Sequence, residues 1–123
     1  MCLFCEKANH PNDFLYENDK VYVIKDNYPV SKGHVLIITK CHMRTYFECT
    51  GDDVGAIHDA LRHMKTYLDD KYHPNGYNIG INNNACAGQS IMHLHVHLIP
   101  RYEGDTKNPK GGVRGVIPGK QAY

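Results

Sequence analysis

Three histidines alternate with aliphatic residues in the stretch HLHVHLIPR, positions 93 to 101. Side chains along an extended strand point to opposite faces in turn, so His93, His95 and His97 share one face while Leu94, Val96 and Leu98 share the other. Neighbours on one face are roughly 6.5 to 7 Å apart at Cα, so two imidazoles can chelate one metal but three in a row cannot without bending. That disfavours a three-histidine zinc site. The chemistry that remains is nucleophilic. A neutral imidazole attacks phosphorus well near neutral pH, and the phosphoramidate it forms is labile to water. Flanking imidazoles can orient it, donate to phosphate oxygens and manage protons. A single such histidine reads as a surface residue; three in strict alternation after a Gly-Gln-Ser loop favour catalysis.

A second group with ligand chemistry opens the chain. Cys2 and Cys5 form one Cys-x-x-Cys without a second copy, a pattern open to zinc, to redox chemistry or to nothing at all. Cys41, beside His42, is a rival thiol, although neighbours on a strand point to opposite faces.

These side chains need a scaffold, and the sequence supplies one domain's worth. A chain of 123 residues can bury about two thirds of its unfolded surface without disulfides. The segments 20–25 and 34–39 are rich in β-formers and enclose the turn-rich DNYPVSKG, which predicts an antiparallel pair. Val54, Ile57, Leu61, Met64 and Leu68 recur at three- and four-residue steps between Thr50 and Pro74, which predicts a helix with a core-facing stripe. His58 and His63 on that helix read as solvent-facing. Segments 76–83 and 90–100 are further strands, and a weak one lies near Phe14 to Tyr16. The fold class is therefore α+β, an antiparallel sheet of about five strands with one principal helix, in a single unit over 1–123 whose 104–123 segment is a tail.

Composition narrows the partners. A formal net charge of +1 argues against a nucleic-acid partner held by bulk electrostatics. The longest aliphatic run, VLII at 35–38, is far below the ~20 residues that span a bilayer. Five cysteines, an odd number, with no secretory pattern at the start predict a reducing, cytoplasmic setting. Residues 101–123 carry five basic and two acidic side chains, which leaves nine basic and eleven acidic elsewhere. The tail is thus the most phosphate-friendly segment by charge. It reads either as a mobile terminus or as a flap that brings Arg114 or Lys120 to a polyphosphate.

Taken together, HLHVHLI, VYVIKDNYPVSKGHVLIITKCH and GYNIGINNNACAGQSIMHLHVHLIPR resemble the three characteristic stretches of the histidine triad (HIT) family, and the likeness runs from Cys2 to about Asp105. The resemblance implies a small α+β homodimer that binds purine nucleotides and hydrolyses or transfers a nucleotidyl group. Family branches act on nucleoside phosphoramidates or dinucleoside polyphosphates, and AGQ, LIPR and GD lean toward the polyphosphate and bacterial-type members. Position by position, it implies His95 as the nucleophile at the α-phosphate, His97 on the phosphate oxygens, His93 behind as the orienting residue, and His34 as a fourth histidine packed beside them. Asp26, with Asn27 next to it, would meet the ribose hydroxyls. Asn82 would meet the phosphate, and Gln89 and Ser90 the bridging or leaving-group oxygen. The same resemblance implies a structural zinc held by Cys2, Cys5, His42 and His93, with no metal needed for the chemistry. Two other functions stay open: a nucleotide-binding regulator whose catalysis is incidental, and a redox or metal-handling protein.

Overall fold

The computed structural model describes residues 2–123. Its centre is a five-stranded sheet in the order β1-β2-β3-β5-β4, antiparallel throughout. The strands are β1 (Tyr16–Glu17), β2 (Val21–Lys25), β3 (Val35–Thr39), β4 (Gly76–Gly80) and β5 (His95–Arg101). The β-branched runs of β2 and β3 pair from Val21↔Thr39 to Lys25↔Val35, as their pattern predicts.

A short helix α1 (Leu3–Lys7) lies on one side of the sheet, and a long helix α2 (Gly51–Tyr72) covers the other. Thr50 caps α2 reciprocally: its hydroxyl accepts from the Asp53 N–H at 3.2 Å, and the Asp53 carboxylate accepts from the Thr50 N–H at 2.8 Å. Its end is a left-handed His73, whose N–H reaches the Asp69 carbonyl just before Pro74. The buried stripe is Ile57, Ala60, Met64 and Leu68, with Val54 and Leu61 on its margins. His58 is exposed as expected, whereas His63, though exposed, stacks on Tyr16 at 4.2 Å between ring centroids.

Alternation divides the sheet residues between two cores. Val21, Val23, Val35, Ile37, Val96 and Leu98 pack with α2, and Leu94 joins them from just before β5. Tyr22, Ile24, Leu36 and Ile38 face α1 and pack with Phe4. Each fully buried aliphatic side chain contributes about 1.5 to 3 kcal/mol, so both faces are held firmly. The register places His95 beside Ile38 and His97 beside Leu36, both on the α1 face. The histidines therefore continue an apolar surface that stops where they begin.

Several predicted boundaries move. β5 starts at His95 rather than at position 90, because β3 ends at Thr39 and leaves no partner for residues 90–94 beyond a bond from the Leu94 N–H to the Met43 carbonyl. β4 stops at Gly80, not 83, and β1 sits at Tyr16–Glu17 rather than one to two residues earlier. The tail is folded: Gly112–Val116 forms a 3-10 turn against β4, and the Gln121 side-chain amide donates to the Asn108 and Lys110 carbonyls. Gly111 is required there, since its φ is +88° and a Cβ would lie 1.9 Å from the Gln121 carbonyl oxygen. Arg114 is occupied by Tyr123 and the Gln121 carbonyl, so it is not extended toward a polyphosphate; Lys120 is exposed beyond it. Among the described residues no helix is long and apolar enough to cross a membrane.

Candidate active site and candidate metal centre

The three alternating histidines part company. His93 is fully buried just ahead of β5, while His95 and His97 on the strand remain partly open. The His93 Nε2–H donates to the Thr39 carbonyl at 2.7 Å. That bond fixes the tautomer and turns the bare Nδ1 toward His42 Nδ1 at 3.1 Å, Cys2 Sγ at 3.3 Å and Cys5 Sγ at 3.6 Å. Burial pushes the His93 pKa below its ordinary value, with the bond to Thr39 opposing.

The four ligand atoms of Cys2, Cys5, His42 and His93 lie within 4.8 Å of one another. Bonds of about 2.3 Å to sulfur and 2.0 to 2.1 Å to nitrogen around one tetrahedral ion put ligand atoms about 3.3 to 3.8 Å apart. The donor set, its spacing and the carbonyl behind His93 thus fit a zinc ion. Cys41 is exposed and outside the group, its sulfur reaching only the His42 carbonyl at 4.0 Å. All five cysteines are free thiols.

His95 is set by the backbone of the same segment. Its Nδ1–H donates to the His93 carbonyl at 2.8 Å, which leaves the Nε2 lone pair open. The Phe4 ring packs edge-on against it, 4.9 Å between centroids.

His97 belongs to a different chain of bonds. The Val30 N–H donates to His34 Nδ1 at 3.2 Å, so the His34 proton sits on Nε2 and points to His97 Nδ1 at 3.0 Å. Asp26 Oδ2 flanks that proton, 3.3 Å from His34 Nε2 and 3.9 Å from His97 Nδ1. His97 in turn carries its own proton on Nε2. Asp26, His34 and His97 lie close enough to hold a cation, but the bond from Val30 commits His34 to a protonated Nε2 and makes the trio a relay. Burial pushes the pKa of both His34 and His97 down; at His97 the neighbouring His95 and His34 add to the fall. Both stay neutral at neutral pH.

Adjacent imidazoles therefore present opposite polarity, a lone pair at His95 and an N–H at His97. An electrophilic phosphorus with a charged oxygen is the group that such a pair complements.

Other predicted residues fall differently. Ser90 is exposed and free to meet a ligand. Gln89 is not: it is buried, its side-chain oxygen accepts from the Asn84 N–H at 2.8 Å, and its side-chain nitrogen donates to the Arg44 and Ile91 carbonyls at 2.6 and 3.1 Å. The expectation that it meets a substrate oxygen is corrected accordingly, because the amide is spent bracing the loop. Asp26 is only partly available to a ribose, since Oδ1 already accepts from the Tyr28 N–H at 2.8 Å. Asn82 stands next to Gly88 and lines a groove of about 960 Å³ between β4 and the tail. Asn27 is exposed and lines a separate cavity with Ile24 and Phe14.

The sequence reading missed Phe4, the Thr39 carbonyl and the Val30 N–H. Phe4 could have been found as the apolar residue inside the Cys-x-x-Cys; the two backbone groups carry no residue signature.

Comparison with known proteins points the same way. The profile of the HIT domain matches residues 7–104. The chain is similar to an uncharacterised HIT-like protein of Methanocaldococcus jannaschii, 37% identical over 114 residues that cover 91% of this chain and 88% of the relative. It is also similar to the adenylylsulfatase HINT3 of Arabidopsis thaliana, 37% identical over 106 residues, 85% of this chain and 54% of the relative. Among solved structures it resembles a zinc-bound histidine triad family protein from Mycobacterium smegmatis, with a TM-score of 0.78, 28% identity, and coverage of 87% of this chain and 79% of that one.

Proposed function

The chain belongs to the HIT domain family, and from that premise we propose that it is a hydrolase that cleaves at the α-phosphate of purine nucleotides through a nucleotidyl-His95 intermediate. The observation that carries the reading is the opposed polarity of two neighbouring rings, with the His95 Nε2 lone pair bare and the His97 Nε2 protonated. The substrates are nucleoside phosphoramidates or dinucleoside polyphosphates, both of which place a displaceable group on an α-phosphorus.

In the first step His95 Nε2 bonds to the α-phosphorus as the bond to the leaving group breaks. The charge that grows on the phosphoryl oxygens meets the His97 N–H and the Asn82 amide. Ser90 donates to the departing group. The relay from Val30 through His34, with Asp26 beside it, keeps the His97 proton aimed at the phosphate, and the Asp26 carboxylate, whose oxygens each meet one N–H already, keeps lone pairs for the ribose. In the second step water displaces His95 and releases the nucleoside monophosphate. Gln89 acts from beneath by holding the loop that carries Ser90. One histidine triad domain performs both steps, with residues 104–123 folded as its tail.

Cys2, Cys5, His42 and His93 would hold a zinc ion. When bound it supplies a structural tether, fixing α1 to the start of β5 and thereby the carbonyl that orients His95. The family resemblance implies that the active assembly is a homodimer.

Incubation of the purified protein with adenosine and guanosine phosphoramidates and with dinucleoside polyphosphates tests the reading. The expected result is release of the nucleoside monophosphate from at least one of them by the native chain and not by His95→Ala. Turnover by the variant at the native rate would reject the assignment.

A further inference from the structure

The proton positions at His34 and His97 trace back to one donor, the Val30 N–H at His34 Nδ1. That donor sits on a loop, residues 26–34, which joins β2 to β3. At its tip Tyr28 is 87% exposed and Val30 72%, and Asn27 and Pro29 are exposed as well. No buried apolar side chain therefore holds the tip. Open space flanks the loop on either side: Ser31 and Lys32 line both the groove of about 960 Å³ and a cavity of about 250 Å³ beside Leu68 and Tyr72. Segments so exposed are ordinarily the mobile parts of a fold.

Hydrogen bonds supply what packing does not. The pairing of β3 with β5 ends at Val35↔Leu98, so the Pro100 carbonyl, two positions further along, lies beyond the ladder. The Ser31 hydroxyl donates to that carbonyl at 2.6 Å and fills the place of a β3 amide. At the next residue the Lys32 carbonyl accepts from the Tyr102 hydroxyl, also at 2.6 Å. Gly33, at φ +93°, then passes so close to α2 that a Cβ would lie 3.0 Å from the Tyr72 ring. The Ser31 carbonyl accepts from the His34 N–H at 3.3 Å, which closes the turn on the histidine it serves. Of these fastenings Ser31 is the nearest to Val30, with only the Val30 dihedrals between the anchor and the N–H.

The Val30 N–H decides which nitrogen of each ring carries hydrogen. With it in place, His34 Nδ1 accepts, His34 Nε2–H donates to His97, and His97 shows an N–H to the phosphate. Once it drifts, His34 can carry its hydrogen on Nδ1. His97 must then donate from Nδ1, and its Nε2 turns a lone pair toward the phosphate oxygens. Asp26 Oδ2, 3.3 Å from His34 Nε2, opposes that inversion, so loss of the anchor produces a mixture of the two forms. We propose that Ser31 is a positioning residue: its bond to the Pro100 carbonyl holds the Val30 N–H on His34 and so keeps the His97 N–H turned to the phosphate. The catalytic consequence rests on the nucleotide-hydrolase reading above.

NMR of the ligand-free full chain, labelled at the histidine ring nitrogens, reads the tautomers directly. The native protein is expected to show Nε2–H at both His34 and His97, Ser31→Ala a mixture, and Ser31→Thr, which keeps the hydroxyl, the native pattern. In steady-state kinetics Ser31→Ala is expected to lower kcat about tenfold with KM changed less than about twofold. A further readout needs no variant: the Val30 amide of the native chain is expected to exchange slowly with solvent although the residue is exposed. A single Nε2–H form at His34 in Ser31→Ala, mixed tautomers in Ser31→Thr, or rapid exchange at Val30 overturns the inference. The reaction is judged separately. Turnover by the native chain with the tautomers unmoved in Ser31→Ala keeps the hydrolase and removes the role of Ser31, while shifted tautomers without turnover of any phosphoramidate or polyphosphate do the reverse.

Discussion

His93 and His95 are two residues apart, yet the same side chain does opposite work at the two positions. At His93 every polar atom is consumed: one nitrogen serves the Thr39 carbonyl and the other faces Cys2, Cys5 and His42. At His95 one nitrogen is consumed and the other is left open. What separates them is their place along the chain. His93 precedes β5, where the strand has no ladder partner and the ring folds inward; His95 is the first ladder residue, held opposite Ile38. Because the His93 carbonyl takes the His95 proton, the structural end also aims the chemical end.

The sharpest break of that contrast is at the chemical end. His95→Ala is expected to lower turnover by roughly 10,000-fold while nucleotide binding changes little, since the lost group bonds to phosphorus but does not hold the base. Rapid kinetics together with equilibrium binding read both. Removal of His34 is milder. His34→Ala leaves the His97 N–H unaimed, and kcat is expected to fall about 100-fold with a smaller change in KM.

At the structural end the effect moves to stability. Protein purified without chelator is expected to contain about one zinc per chain, and Cys5→Ser to lower both zinc content and Tm, the latter by about 10 °C. A metal-free protein with the native Tm would leave the cluster without its role.

Acidity acts on the relay behind the chemical end. The folded pKa of His34 and of His97 is lowered by burial, so the unfolded chain binds protons first as pH falls. Stability is then full above the ordinary histidine value of about 6.5 and is lost as pH drops through it toward the folded values, a trend that denaturant titrations at a series of pH values would show.

The smallest effect is a gain. Asn84 is held at φ +76°, ψ 162° in the loop ahead of Ser90, a region that side chains avoid. Asn84→Gly is expected to stabilise the fold by about 1 kcal/mol. No gain on thermal unfolding would place the cost elsewhere.

Much of this arrangement was legible in the residues. Alternation in HLHVHLI placed the histidines opposite Leu94, Val96 and Leu98, and the helical spacing from Val54 to Leu68 gave α2 and its core face. The spacing argument against a three-histidine metal site agrees with the separation of the rings into different clusters. What could not be read were features made by backbone groups. Gln89 has the type and position of a ligand-binding amide, but the Asn84 N–H and two carbonyls claim it. The protonation pattern of His34 and His97 follows from a single N–H at Val30, for which no residue type is a sign. The tail's fold depends on Gln121 reaching back to Asn108 and Lys110, a contact that periodicity does not reveal.

The central claim is a covalent bond between His95 and phosphorus, and the stereochemical course at that atom tests it most directly. Hydrolysis of a P-chiral α-phosphorothioate substrate in isotopically labelled water proceeds with net retention if two in-line displacements occur in succession. Retention is the predicted result. Net inversion would mean that water attacks once, and His95 would then be a base or a binding group instead of the nucleophile.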